Sequence, residues 1–188
     1  QADILREYWT NIAGNAVSDL TSHVNYPDRP SGSNRLNSFE APVNWAEEYG
    51  TRVRGYLTAP TTGSYVFWIA SDDNSELWLS PDADPDYKSQ IAYVSAWTSS
   101  REWNKYASQK SAPVNLTAGQ KCYIEGLHKE GGGGDNLAVG WAKPGQSTSA
   151  PSEVIPGTVL LPWTGYDPAL NCRPVITVPA NLSFGEAP

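Results

Sequence analysis

Short runs of alternating apolar residues, each closed by a turn signal and with no long helical pattern between them, constrain this chain most. Arg52-Val53-Arg54-Gly55-Tyr56-Leu57 alternates and stops at Pro60-Thr61-Thr62-Gly63. Ser64 to Ala70 follows, so the pair predicts a hairpin. Glu76-Leu77-Trp78-Leu79 places Leu77 and Leu79 on one face, because strand side chains alternate. Ile91 to Val94, Ala112 to Leu116, Lys121 to His128 and Leu137 to Trp141 continue the series, with a turn at Ala118-Gly119. The 16 glycines and 15 prolines supply turns, and the 8 tryptophans and 10 tyrosines supply strand-forming bulk. The expected class is all-β, an antiparallel sandwich or barrel with long loops and minor helical turns.

The ends read differently. Ile4, Tyr8 and Ile12 lie at helical spacing, while Arg6-Glu7-Tyr8-Trp9 also fits a strand. We favour a strand followed by one helical turn around Val17 to Leu20. Asn25 to Asn44 is rich in Pro, Ser, Gly and Asn and predicts a long ordered loop. Residues 1–163 are assigned to the β domain and 164–188 to a linker, with Val175-Ile176-Thr177-Val178-Pro179 read as the first strand of a following domain.

Composition narrows the partners. Charged residues make up 18% of the 188 and the net charge is -7, which opposes nucleic acid and anionic membrane surfaces. No apolar run approaches the roughly 20 residues that span a bilayer. Methionine is absent, which suits a processed or excised piece of a larger secreted or cell-surface protein. Cys122 and Cys172 pair as a disulfide worth roughly 4 kcal/mol in the loop-entropy account, or remain two buried thiols. Their spacing leaves both open, and the secreted character favours the disulfide. Two sequons, Asn115-Leu116-Thr117 and Asn181-Leu182-Ser183, decide nothing.

The chemistry concentrates where Tyr65-Val66-Phe67-Trp68-Ile69-Ala70 runs into Ser71-Asp72-Asp73-Asn74. Two adjacent carboxylates at a buried strand end repel each other, and a bound cation resolves that repulsion. Calcium takes six to eight oxygens, backbone carbonyls included. Adjacent strand side chains point to opposite faces, so both acids reach one ion only with an unusual backbone between them. Glu130-Gly131-Gly132-Gly133-Gly134-Asp135-Asn136 is the expected second wall: its glycines turn sharply and Asp135 and Asn136 add oxygens. The plain alternatives are a solvated turn at Asp72-Asp73 and a flexible or anion-cradling loop at the glycines. Asp82-Ala83-Asp84-Pro85-Asp86 begins like an EF-hand but has Tyr87 and Tyr93 where that loop needs Gly and Glu, so it reads as a polar loop.

These residues carry a family resemblance. Gly63 to Leu79, Leu116 to Glu125 and His128 to Trp141 resemble the signature of the PA14 domain over roughly residues 3–163. The resemblance implies a β-sandwich or barrel-like fold. In sugar-binding members an Asp-Asp pair joined by a cis peptide holds calcium and a later loop completes the shell. Carried over, the metal ligands are Asp72 and Asp73, with Gly133, Gly134, Asp135 and Asn136 in the later loop. Asp72, Asp73 and Asp135 then meet a carbohydrate, and Trp97 and Trp103 are the aromatic side chains that stack on its ring. Trp68, Trp78 and Trp141 are assigned to the core.

The expected function is a non-catalytic, calcium-dependent carbohydrate-binding module of a larger multidomain chain, enzyme-associated or adhesive. The runner-up is a structural or protein-interaction spacer with a purely structural calcium. A hydrolase is disfavoured: there is no Gly-x-Ser-x-Gly or His-Glu-x-x-His, and His23 and His128 are isolated. Glu47-Glu48 and Glu102 have no recognisable catalytic setting.

Overall fold

The computed structural model describes residues 2–170. Eleven strands occur among them: β1 (Ile4–Thr10), β2 (Gly32–Leu36), β3 (Tyr49–Thr58), β4 (Gly63–Asp72), β5 (Ser75–Leu79), β6 (Ser89–Val94), β7 (Val114–Leu116), β8 (Lys121–Glu130), β9 (Asn136–Ala142), β10 (Glu153–Val154) and β11 (Leu160–Pro162). One sheet runs β2-β1-β3-β8-β5-β6, with β11 also paired to β3; the other runs β10-β9-β4-β7. All pairings are antiparallel. The all-β sandwich expected from alternation is therefore the fold.

The core lies between the sheets. Phe67, Ile69, Trp141 and Val139 from one sheet meet Val53, Leu57, Leu77 and Ile124 from the other, all fully buried. Each such side chain contributes about 1.5–3 kcal/mol by leaving water. Leu77 and Leu79 share the inward face, as alternation requires. Trp68 and Trp141 are buried, but Trp78 is only half-buried. It points off the opposite face of β5, and its indole N–H donates to Glu76 Oε2 at 2.9 Å.

Two local readings are corrected. β3 and β4 do not form a hairpin: β3 pairs with β1, β8 and β11, and β4 with β9 and β7. Pro60 to Gly63 carries the chain from one sheet to the other, a distinction that alternation on either side of a turn does not encode. The loop expected over Asn25 to Asn44 contains β2, an edge strand whose outward positions are exposed and whose polar residues hide it. The N-terminal strand and helical turn are present as β1 and α1 (Val17–Thr21). Asp19 Oδ2 accepts the Ala16 N–H at 3.0 Å at the start of that turn, and Leu20 packs on Trp9 and Ile12. Gly50 lets α1 approach β3, since a Cβ there would lie 2.5 Å from Leu20 Cδ1.

Cys122 is buried on β8, and burial pushes its thiol up to about 12. Its expected partner Cys172, the strand expected at Val175 to Pro179 and the sequon at Asn181 lie outside the described residues. Among the described residues no helix is long and apolar enough to cross a membrane.

Candidate metal and ligand site

Strand ends from both sheets meet at one end of the sandwich. Asp72 closes β4 opposite Asn136, which opens β9. Ser75 opens β5 opposite His128 on β8, and Glu130 closes β8 opposite Tyr49. The two turns between them, 73–74 and 131–135, bring the acidic residues of two distant segments together.

The Asp72–Asp73 peptide bond is cis. Around it the backbone is fixed from below. Ser71 Oγ donates to Asp73 O at 2.6 Å, and Ser71 O accepts from Thr98 N at 2.6 Å. His128 Nε2 contacts the Asp72 carbonyl. A carbonyl only accepts, so Nε2 carries the proton. Burial lowers the His128 imidazole to about 4, with the Asp72 carbonyl opposing, so the ring is neutral at pH 7. His128 is thus a buried prop of the Asp72 backbone.

Carboxylate oxygens of Asp72, Asp73 and Glu130 lie within 4.8 Å of one another. Glu130 is 0% exposed and neither of its oxygens has a hydrogen-bond partner. Burial raises its carboxyl to about 8, and Asp73, Asp72, Asp135 and Glu47 add to the rise. Asp72 is raised to about 6, first by burial and then by Asp73, with Lys105 opposing. Three acids held side by side, Asp72 and Glu130 among them resisting ionisation and Glu130 buried without a donor, form a cluster suited to a divalent cation. Asp73 Oδ2 also accepts the Gly131 N–H at 3.0 Å, which ties the two loops together.

The remaining expected residues divide. A Cβ on Gly134 would stand 3.8 Å from Asp72 Oδ2, so this glycine lies against the cluster. Gly133, at φ 106, donates its N–H to Glu47 Oε2 at 3.0 Å. Asn136 donates from Nδ2 to Thr98 O at 3.0 Å, leaving Oδ1 buried without a partner. Asp135 is 2% exposed: Oδ2 accepts from Trp45 N at 2.7 Å and Ala46 N at 3.1 Å, and Oδ1 has no partner. Trp97 is brought to the site by a bridge to Asp72 and is 50% exposed, with Lys105 Nζ 3.3 Å from its ring centroid. Trp103 is not brought there. It packs on Val66, Trp68 and Ala142, toward the other end of β4 and on the face away from the core.

Sequence reasoning did not single out Glu130 beside the two aspartates, and it did not connect segment 44–48 with the glycine loop. Glu130 was legible only as the first residue of the glycine loop. Its partners stand 57 and 58 positions earlier, and their pairing depends on the sheet topology. Glu47 and Glu102 have structural partners, the Gly133 and Ser99 N–H groups. The polar loop at Asp82 to Asp86 is held by its own turns, Asp84 capping a short 3-10 helix.

This two-sheet antiparallel sandwich is the fold of solved PA14 domains. Residues 49–140 match the GLEYA domain. A solved PA14 sugar-binding domain from an RTX adhesin superposes with a TM-score of 0.63 at 11% identity, covering 86% of this chain and 98% of that one. The epithelial adhesin 9 A domain of Candida glabrata, solved with Galb1-4GlcNAc, superposes with a TM-score of 0.59 at 14% identity, covering 86% and 89%. A mouse N-acetyl-beta-glucosaminyl-glycoprotein 4-beta-N-acetylgalactosaminyltransferase 1 is 36% identical over 133 residues, 68% of this chain. The chain spans 13% of that relative's length.

Proposed function

We propose that this chain is a non-catalytic, calcium-dependent carbohydrate-binding domain of a larger secreted or cell-surface protein. The observation that carries the reading is the Asp72, Asp73 and Glu130 cluster, with both buried Glu130 oxygens unpartnered. The fold shared with sugar-binding domains and the 13% coverage of a much longer relative support the rest.

In this reading Asp72, Asp73 and Glu130 hold the ion by their carboxylates. The free oxygens of Asp135 and Asn136 and the carbonyls of Gly133 and Gly134 are the further donors. Calcium, when bound, supplies a Lewis-acidic point at which two adjacent sugar hydroxyls replace water. Asp72, half-buried at the mouth, accepts a hydrogen bond from one of those hydroxyls. Trp97 offers an apolar surface beside it. His128 and Ser71 keep the Asp72-Asp73 backbone in place, so the site is formed before the ligand arrives.

The test is calorimetric titration with methyl galactoside, methyl mannoside and Galb1-4GlcNAc, in calcium and in EDTA. Binding that appears only with calcium supports the reading. Binding indifferent to calcium, or none to any of the panel, contradicts it.

A further inference from the structure

We propose that Trp45 is the stacking platform that selects the sugar, carried by a segment, 44–48, that the glycine loop holds in place. The inference rests on the reading of the site as a carbohydrate site and adds a residue, a second wall and a ligand class to it.

The segment is laced to the glycine loop at every residue. Asn44 N donates to Asp135 O at 2.9 Å and Glu48 N to Gly131 O at 3.1 Å. Trp45 N and Ala46 N both donate to Asp135 Oδ2, and Glu47 Oε2 accepts from Gly133 N. Its two ends, Asn44 and Glu48, sit at φ 52 and 51, in the left-handed region that side chains other than glycine seldom adopt. Neither residue is a glycine, so the lacing sustains a backbone that would otherwise relax.

The segment stands against the acidic cluster. A Cβ on Gly134 would lie 3.3 Å from Asn44 Oδ1 and 3.8 Å from Asp72 Oδ2, so Asn44 and Asp72 flank the same glycine. The next residue is Trp45, 37% exposed. Its indole is fixed rather than free: the Arg6 guanidinium lies 4.2 Å from its centroid, and the Tyr8 and Tyr49 rings stand edge-on at 4.8 Å each. Arg6 is itself buried, with Nε and Nη2 lacking hydrogen-bond partners, so the aromatic rings around it are its main company.

An immobilised, part-exposed indole loses little conformational freedom when a ligand lands on it. A polar mouth that also presents such a surface suits a molecule with hydroxyls on one side and C–H bonds on another. The ligand class is therefore a pyranoside, engaged through adjacent hydroxyls at the acidic cluster and through an open C–H face at Trp45. Trp97, its ring already faced by Lys105, is bridged to Asp72.

The competing role for Trp45 is a cover over the buried Arg6, and the experiment separates the two. Wild type, Trp45→Ala and Trp45→Phe are titrated with calcium alone, then with the same sugar panel in saturating calcium, and each is melted. The expected result for Trp45→Ala is sugar affinity lower by about tenfold or more, equivalent to about 1.4 kcal/mol, with calcium affinity unchanged within about twofold. Trp45→Phe, which keeps an aromatic face and the packing on Arg6, recovers most of the sugar affinity. Sugar binding by Trp45→Ala equal to wild type overturns this inference and leaves the carbohydrate reading standing. Parallel loss of calcium and sugar affinity in Trp45→Ala and Trp45→Phe also overturns it, in favour of the cover. Absence of sugar binding by wild type overturns the carbohydrate reading itself.

Discussion

Glu130→Gln makes the sharpest prediction, because the account requires it to help the metal-free fold and harm the metal-bound one. Glu130 is buried, lacks any donor, and is held near Asp72 and Asp73. Its carboxyl rises from 4.5 to about 8. A carboxyl raised on folding keeps its stability at low pH, where it is protonated in both states. That stability is lost as pH rises from the unfolded value through the folded one. At about 1.4 kcal/mol per tenfold change, the full displacement corresponds to roughly 4 kcal/mol by pH 8. Asp72 is raised by the same neighbours and the protons of the cluster are shared, so we take about half, roughly 2 kcal/mol, as the effect of Glu130 alone. For a domain of this size that is about 4–8 °C of melting temperature. Glutamine keeps the shape, removes the charge and offers an N–H to the two aspartates. Thermal melts in EDTA from pH 5 to 9 should show wild type losing stability as pH rises, with Glu130→Gln flatter and more stable above pH 7. Added calcium should raise wild type strongly and the variant little. Superimposable curves for the two proteins in EDTA would refute the reasoning.

Other outcomes follow from the same geometry. Calcium affinity should climb between pH 5 and 8, because the ion needs Asp72 and Glu130 ionised and they titrate near 6 and 8; calorimetry in buffers of different ionisation enthalpy should detect proton release at pH 7, and its absence would count against the cluster as the site. Asp73→Asn keeps an acceptor for the Gly131 N–H, so the variant should remain folded while losing calcium and, with it, sugar; circular dichroism and calorimetry read the two separately. Asp135→Ala removes the acceptor of the Trp45 and Ala46 N–H groups, at a cost of about 1–3 kcal/mol, and should speed amide exchange at 44–46. Unchanged exchange there would show that the lacing does not hold segment 44–48.

What the sequence disclosed, and what it concealed, follows from how local each signal is. β4, β5, β8 and β9 are legible because their inward residues alternate or run continuously apolar, and the core needs both patterns. Asp72-Asp73 is legible because charge at a buried strand end is locally anomalous. The partition of β3 and β4 between sheets is not, since Pro60 to Gly63 serves a hairpin and a crossover equally well. Glu130 was legible only as the first residue of the glycine loop; the pairing of β8 with β3 and β5 and of β9 with β4 is what brings it beside Asp72 and Asp73. Trp45 follows the expected loop of Asn25 to Asn44, and no local signal ties it to the site; the hydrogen bonds to Asp135 do. Trp103 is the converse case: its neighbours in sequence suggested the site, but its indole fills a gap over Val66 and Trp68.

The central claim is that one calcium ion sits among Asp72, Asp73 and Glu130. A crystal structure grown with calcium, with anomalous differences collected at long wavelength, tests it most directly. The account predicts a single strong peak with an oxygen from each of the three carboxylates at about 2.3–2.6 Å and at least one position open to solvent. A map with no peak there, and the three carboxyl groups sharing protons in hydrogen bonds to one another, would contradict it.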